Sequence, residues 1–174
     1  MKKLLVVVDM QVDFVTGCLG TKEAEAIVAG VTDYVKNFDG DVVFTQDTHS
    51  KDYMNTQEGR KLPVEHCIKG SEGWKLVEPL RGLAEGRKIF EKPTFASTEL
   101  AKYVADNYGK GENYEAVELC GVCTVICVLS NAVTIKGFVP EIPIMVLKDL
   151  CACVTPASHE TALAAMSTCQ IDAK

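Results

Sequence analysis

The sequence predicts an α/β fold in which a mainly parallel sheet is covered by helices. Short apolar, β-branched runs alternate along the chain with longer segments of helical periodicity, the pattern of strands joined by helical crossovers. The 174 residues, 47% of them apolar, suffice for one such domain over residues 1–174 but are short for two. There is also no repeat, low-complexity tract or Pro/Ser-rich linker to mark a boundary.

Taken in order, Lys3–Val8 reads as the first strand, and Ile27, Val28, Val31, Val35 and Phe38 then recur at helical spacing as an amphipathic cover. Asp41–Thr45 reads as the second strand. His49 to Gly73 is a long irregular stretch, and loops of that length usually carry a task. Lys88–Phe90 predicts a third strand, and Leu100, Val104 and Tyr108 a second amphipathic helix. Ala116–Leu119 is the fourth strand, with a helix after Gly121 that carries Val128 to Ile135. Ile142–Leu147 is the fifth. Thr155-Pro156 supplies an N-cap and a proline at the first helical position for a helix through about Met166, and a short last strand is expected near Cys169–Ile171.

The net charge of −6 lacks the basic excess that neutralises a phosphate backbone, so nucleic acid is not an expected partner. The apolar run Leu4–Val8 ends at Asp9, far short of a membrane span or a signal-peptide core. A cytoplasmic protein with no membrane partner is therefore expected. In a reducing compartment the eight cysteines are thiols, metal ligands or a nucleophile rather than structural disulfides.

In an open parallel sheet, ligands bind beyond the carboxyl ends of the strands. Asp9 ends the first strand, Asp47 follows the second, Lys92 the third, and Cys127 lies a few residues after the fourth. Together they suit nucleophilic catalysis. Lys92 and the helix start after Gly121 would favour a Cys127 thiolate, and Asp9 would accept the thiol proton and return it to a leaving amine. Backbone N–H groups at Cys123 and Cys127 would be available to hold an oxyanion.

A second constellation lies in the loop. Asp47-Thr48-His49 places a carboxylate and an imidazole two positions apart, and Glu58 and His66 follow. Such oxygen and nitrogen donors suit Zn²⁺, Fe²⁺ or Mn²⁺. Asp52 and Glu65 are neighbouring acids that compete with Glu58 for the third place.

The segments Leu4–Phe14 (LLVVVDMQVDF), Phe90–Ser97 (FEKPTFAS) and Glu118–Val128 (ELCGVCTVICV) resemble, in order and position, three signatures of the isochorismatase-like cysteine hydrolases. The resemblance runs from Leu4 to His159–Leu163. It implies a three-layer α/β/α sandwich with a six-stranded, mainly parallel sheet, a catalytic triad of Asp9, Lys92 and Cys127, and a cis peptide at Val122–Cys123 that shapes the oxyanion hole. Asp47, His49, Glu58 and His66 look like the metal set of the nicotinamidase branch, which implies one divalent ion, Zn with Fe or Mn as alternatives. The implied reaction converts nicotinamide to nicotinate and ammonia through an acyl-thioester on Cys127. Related members act on other small amides, carbamoyl compounds or an enol ether. The family frequently self-associates, so a homo-oligomer is also implied.

Phe14 and Phe95 are candidate aromatic walls for the substrate pocket. Leu62 precedes Pro63 where that branch commonly carries an aromatic residue. Two readings compete with the triad. Cys120-Gly121-Val122-Cys123 is a CxxC, which raises redox or zinc-binding chemistry, although Cys120 falls in an apolar strand and no second CxxC exists. His159 could serve a Cys–His hydrolase, but four residues past a Thr-Pro cap it reads as structural.

Overall fold

The computed structural model describes residues 2–108 and 114–174. Among these residues, six strands form one parallel sheet: β1 (Lys2–Val8), β2 (Gly40–Asp47), β3 (Ile89–Lys92), β4 (Tyr114–Val122), β5 (Ile144–Ala152) and β6 (Asp172–Ala173). Their order is β3-β2-β1-β4-β5-β6. The central strand explains its own position. Leu4 to Val8 are all fully buried, so a run with no polar face requires a partner strand on each edge and a helix layer on each side.

The helices are α1 (Val12–Val15), α2 (Lys22–Asn37), α3 (Gln57–Lys61), α4 (Glu78–Ala84), α5 (Thr98–Asn107), α6 (Leu129–Phe138) and α7 (Pro156–Thr168). The chain winds outward through β2 and β3, then returns to β4 beside β1. Right-handed crossovers therefore put α2 and α4 in one layer and α5, α6 and α7 in the other, and α2 touches α4 while α6 touches both α5 and α7. Side-chain caps start the longer helices. Thr21 accepts from the Ala24 N–H and Ser97 from the Leu100 N–H, and Thr155 and Ser158 form a reciprocal capping box.

Several boundaries differ from expectation: β2 runs on to Asp47, β3 to Lys92, β4 to Val122 and β5 to Ala152. The last strand is Asp172–Ala173 rather than Cys169–Ile171, because α7 runs to Thr168 and the backbone must turn before it reaches β5. The fifth strand starts at Ile144, since Ile142 is buried in the preceding turn, its N–H bonded to the Val139 carbonyl. The irregular loop contains a 3₁₀ turn at Tyr53–Asn55 as well as α3. No helix of the described residues is long and apolar enough to cross a membrane.

β1 and β4 are neighbours whose following connections leave in opposite directions along the sheet. That reversal opens a crevice at their C-terminal ends. Gly121 makes the close approach there feasible. It has φ of 114°, and a Cβ at this position would lie 2.1 Å from the Val8 carbonyl oxygen.

Candidate active site

Asp9, directly after β1, sits in the crevice with φ of 47°, a left-handed conformation that non-glycine residues adopt at a cost of about 1–3 kcal/mol. Thr45 holds it there: its hydroxyl accepts from the Asp9 N–H at 3.2 Å and donates to Oδ1 at 2.6 Å. Lys92, the last residue of β3, reaches under β2 to place Nζ 2.7 Å from Asp9 Oδ2 and 3.6 Å from Cys127 Sγ. The same ammonium lies 3.6 Å from Asp47 Oδ1 and donates to the Thr94 carbonyl at 3.0 Å. All of these side chains are almost fully buried. The four residues that the sequence singles out from separate strand ends therefore meet, with Asp9, Asp47 and Cys127 around the Lys92 amine.

Cys127 stands on a π-helical turn, Thr124–Val128, that runs directly into α6. Asn131, one turn on, donates to the Cys127 carbonyl at 2.8 Å and to the Phe95 carbonyl at 3.1 Å, and accepts from the Ser97 N–H at 3.0 Å. It ties the nucleophile's turn to the segment after Lys92. The Val122–Cys123 peptide that enters the turn is cis.

Burial and the neighbouring charges set the direction in which each group titrates. Burial, and then the Asp9 carboxylate, push the Cys127 thiol well above its ordinary range, and Lys92 offsets this only in part. Burial and the neighbouring carboxylate thus favour the thiol over the thiolate. Burial also raises Asp9, against the opposing pull of Lys92. Burial would lower Lys92, but Asp9, Cys127 and Asp47 around it hold it above the ordinary lysine range, so it stays charged. Asp9 is thus poised as a proton acceptor beside a fixed cation.

Asp47, the last residue of β2, also faces the second cluster. Its Oδ2 lies 2.9 Å from His49 Nε2 and 3.5 Å from His66 Nε2, while Glu58 Oε1 is 3.8 Å from each imidazole. One donor atom from each of the four residues falls within 4.8 Å of every other. Metal–ligand bonds of ~2.0–2.1 Å at tetrahedral angles put neighbouring donors ~3.3 Å apart, a value inside the observed spread. His66 Nδ1 donates to the Val64 carbonyl at 2.8 Å, which leaves Nε2 with its lone pair toward the cluster. Asp47 Oδ1 is buried without a hydrogen-bond donor. Burial and the Asp47 charge raise Glu58, a crowding that a cation would relieve. The donor set fits a divalent ion. Of the three acids weighed in the loop, Glu58 is the one that reaches it, because the first turn of α3 turns it inward.

A pocket of about 420 Å³ opens between the two clusters, lined by Phe14, Leu62, His66, Phe95, Ile126 and Cys127 among others. Phe14 stands tilted against His66, with ring centroids 5.5 Å apart. Phe95 is 43% exposed, so it is a wall at the mouth rather than core. Cys120 is fully buried in β4 and takes no part, which removes the CxxC reading. His159 hydrogen-bonds Thr124 at 2.9 Å and does not line the pocket, as a structural residue would.

Several supporting residues escaped the sequence reading. Gln11 donates to the Asp47 carbonyl at 2.9 Å and accepts from the Asp47 N–H at 2.7 Å, clamping the end of β2. Tyr53 packs against His49 and His66, with centroid distances of 4.7 and 5.0 Å. A polar residue just beyond a wholly apolar strand, as Gln11 is, was the available signal. Tyr53 gave none.

The chain matches the isochorismatase domain family over residues 3–173. It is 34% identical to the uncharacterized isochorismatase family protein PncA of Bacillus subtilis, over 94% of this chain and 93% of that protein. Among solved structures, it is similar to the pyrazinamidase of Pyrococcus horikoshii in complex with zinc, at 26% identity and a TM-score of 0.83 over 100% of this chain and 99% of that one. It is likewise similar to the nicotinamidase/pyrazinamidase PncA of Bacillus subtilis, at 27% identity and a TM-score of 0.79 over 99% of each chain. The pyrazinamidase/nicotinamidase of Streptococcus mutans UA159 aligns at 26% identity and a TM-score of 0.82, again over 99% of each chain. With that family match spanning nearly its whole length, and with the same sheet and flanking helices as these hydrolases, the chain belongs to the isochorismatase family.

Proposed function

We propose that the protein is an amidohydrolase that converts nicotinamide, or a closely similar heteroaromatic amide, to the acid and ammonia. The observation that carries this reading is the convergence of Asp9, Lys92 and Cys127 beside a pocket that Cys127 lines together with Asp47, Glu58 and His66 of the four-residue donor cluster. Similar structures named for nicotinamidase and pyrazinamidase activity, one of them a zinc complex, support the substrate class and the metal.

In this reading the substrate ring lies between Phe14, Phe95 and Ile126, with its carboxamide against Cys127. Asp9 takes the thiol proton as sulfur attacks the carboxamide carbon, which resolves the resting protonation of Cys127 without a standing thiolate. Backbone N–H groups of Cys123 and Cys127 receive the oxyanion. Lys92 remains charged throughout, holds Asp9 in place, and faces the sulfur as it becomes negative. Asp9 then delivers its proton to the leaving nitrogen, ammonia departs, and an acyl-thioester remains on Cys127. Water attacks the thioester, Asp9 takes a proton from it and returns that proton to sulfur. The sum is amide plus water giving acid plus ammonia. Asp47, His49, Glu58 and His66 would hold a divalent ion, Zn with Fe or Mn as alternatives, whose chemistry when bound is to accept a ring nitrogen as a ligand and orient the ring.

Product release from nicotinamide, pyrazinamide, a carbamoyl amino acid and isochorismate, each with and without chelator, tests the proposal. Rapid, chelator-sensitive ammonia release from the first two is expected. Turnover of isochorismate or the carbamoyl compound alone would overturn the substrate assignment.

A further inference from the structure

Cys123 and Cys153 face each other on the pocket wall with their sulfurs 2.7 Å apart. Both are free thiols, and at this separation the two sulfurs are in direct contact with no atom between them. Strand register gives the same pairing without reference to the side chains. Gly121 pairs with Cys151 and Val122 with Ala152, so the next positions along β4 and β5 are Cys123 and Cys153. Neighbouring strands lie about 4.7–4.9 Å apart, inside the Cα separation of ~4.4–6.8 Å that a disulfide spans. A zinc chelate does not fit as well. Two Zn–S bonds of ~2.3 Å at a tetrahedral angle hold their sulfurs ~3.8 Å apart.

We propose that Cys123 and Cys153 form a reversible dithiol–disulfide site on the pocket wall, with a low-molecular-weight disulfide as its reaction partner. Such a reagent reaches the pair through the pocket mouth, since both residues line that cavity. The two sulfurs are not equivalent. Burial opposes ionisation of Cys153, but hydrogen bonds from Cys123, the Ser158 hydroxyl and the Val125 and Val154 amides outweigh it and hold this thiol below its ordinary range. Cys123 is pushed up to about 12 by burial and by its partner. Either sulfur can open the exchange, since both line the cavity, and the direction of these shifts favours Cys153.

The steps balance. Cys153 sulfur attacks one sulfur of the reagent, forming a mixed disulfide and expelling one thiol. Cys123 sulfur attacks Cys153, the bridge forms, and the second thiol leaves. Two electrons pass from the cysteine pair to the reagent's S–S bond, and the two thiol protons depart on the two released thiols. The new bond closes a loop across 30 positions and ties the end of β4 to the end of β5 beside Cys127. The proposal is independent of which amide the enzyme cleaves.

The test equilibrates the full chain and its Cys123→Ser, Cys153→Ser and Cys127→Ala variants in oxidised and reduced glutathione buffers. Acid quench, alkylation of the unfolded protein and intact mass then count the thiols. Oxidised wild type and Cys127→Ala should each lose two alkylatable thiols with no glutathione adduct, leaving six of the eight in wild type, and dithiothreitol should restore them. Neither serine variant should lose a pair. Eight labels in wild type at the most oxidising poise, or loss of a pair in Cys153→Ser, would overturn the proposal. Should Cys123→Ser fail to fold, Cys153→Ser and Cys127→Ala alone decide between this bridge and one that uses Cys127.

Discussion

Replacing Asp9 by Asn should slow turnover while making the nucleophile easier to alkylate. The two effects have opposite signs because Asp9 plays two parts toward Cys127. As the proton acceptor it is needed for attack, and loss of a general base costs typically ~10²–10⁴-fold, or about 2.7–5.5 kcal/mol on the barrier. As a buried negative charge it is, after burial itself, the largest influence holding the Cys127 proton on. Asparagine removes that charge and leaves Lys92 at 3.6 Å to favour the thiolate. Stability should fall only moderately. The Lys92–Asp9 contact at 2.7 Å corresponds to a gross attraction of about 6 kcal/mol at an effective dielectric constant of ~20, and the Lys92–Asp47 contact at 3.6 Å to about 5 kcal/mol. Lys92 therefore keeps a carboxylate partner when Asp9 is neutralised. We expect about 3 kcal/mol of destabilisation, the low end for breaking a buried pair, and a Tm lower by about 6–12 °C. Iodoacetamide labelling of Cys127 against pH, followed by peptide mass spectrometry, should show faster labelling at neutral pH than in wild type. Slower labelling, or an unchanged rate alongside lost activity, would refute this account of the electrostatics.

Lys92→Met should act in the opposite sense, with slower labelling at every pH below the thiol's range, because it removes the cation that faces Cys127 and leaves Asp9 and Asp47 to hold its proton. Wild-type Cys127 should itself label slowly through neutral pH and accelerate only above the ~8.5 of a free thiol, since burial and a carboxylate both favour the protonated form. His49→Ala or His66→Ala should reduce bound metal below one ion per chain by elemental analysis after dialysis, whereas Cys127→Ala should retain it and lose turnover; full metal content in both histidine variants would refute the ligand set. Gly121→Ala should cost about 3 kcal/mol or more in denaturant melts, because its Cβ would meet the Val8 carbonyl at 2.1 Å at a φ of 114°.

The central residues were legible because charged side chains at the ends of apolar strand runs mark the sheet's edge. Asp9 interrupts Leu4–Val8, Lys92 follows the run that includes Phe90, and both must then lie at the carboxyl edge of the sheet. Asp47, His49 and His66 were legible as donor types at suggestive spacing. Glu58 needed the inward turn of α3 to separate it from Asp52 and Glu65. The charge state of Cys127 was not legible. It depends on how deeply the sulfur is buried and on which carboxylates surround it, and chain order alone suggested only the amine and the helix. Thr45 and Gln11 look like ordinary polar residues in or beside a strand until the register of β1 against β2 sets them against Asp9 and Asp47. The Cys123–Cys153 pair was hidden for the same reason: the sequence offers Cys120 as the partner of Cys123, and only the β4–β5 register substitutes Cys153. Local chemistry can be read from residue types, whereas pairing across strands requires the sheet.

The most direct measurement of the covalent route is the partition of product when hydroxylamine is added to the enzyme turning over nicotinamide. An acyl group carried on Cys127 should be intercepted, so hydroxamate should appear at the expense of nicotinate while the ammonia released still accounts for every turnover, and Cys127→Ala should yield neither product. Nicotinate as the sole acyl product at high hydroxylamine, or ammonia release that survives loss of the Cys127 sulfur, would contradict the account.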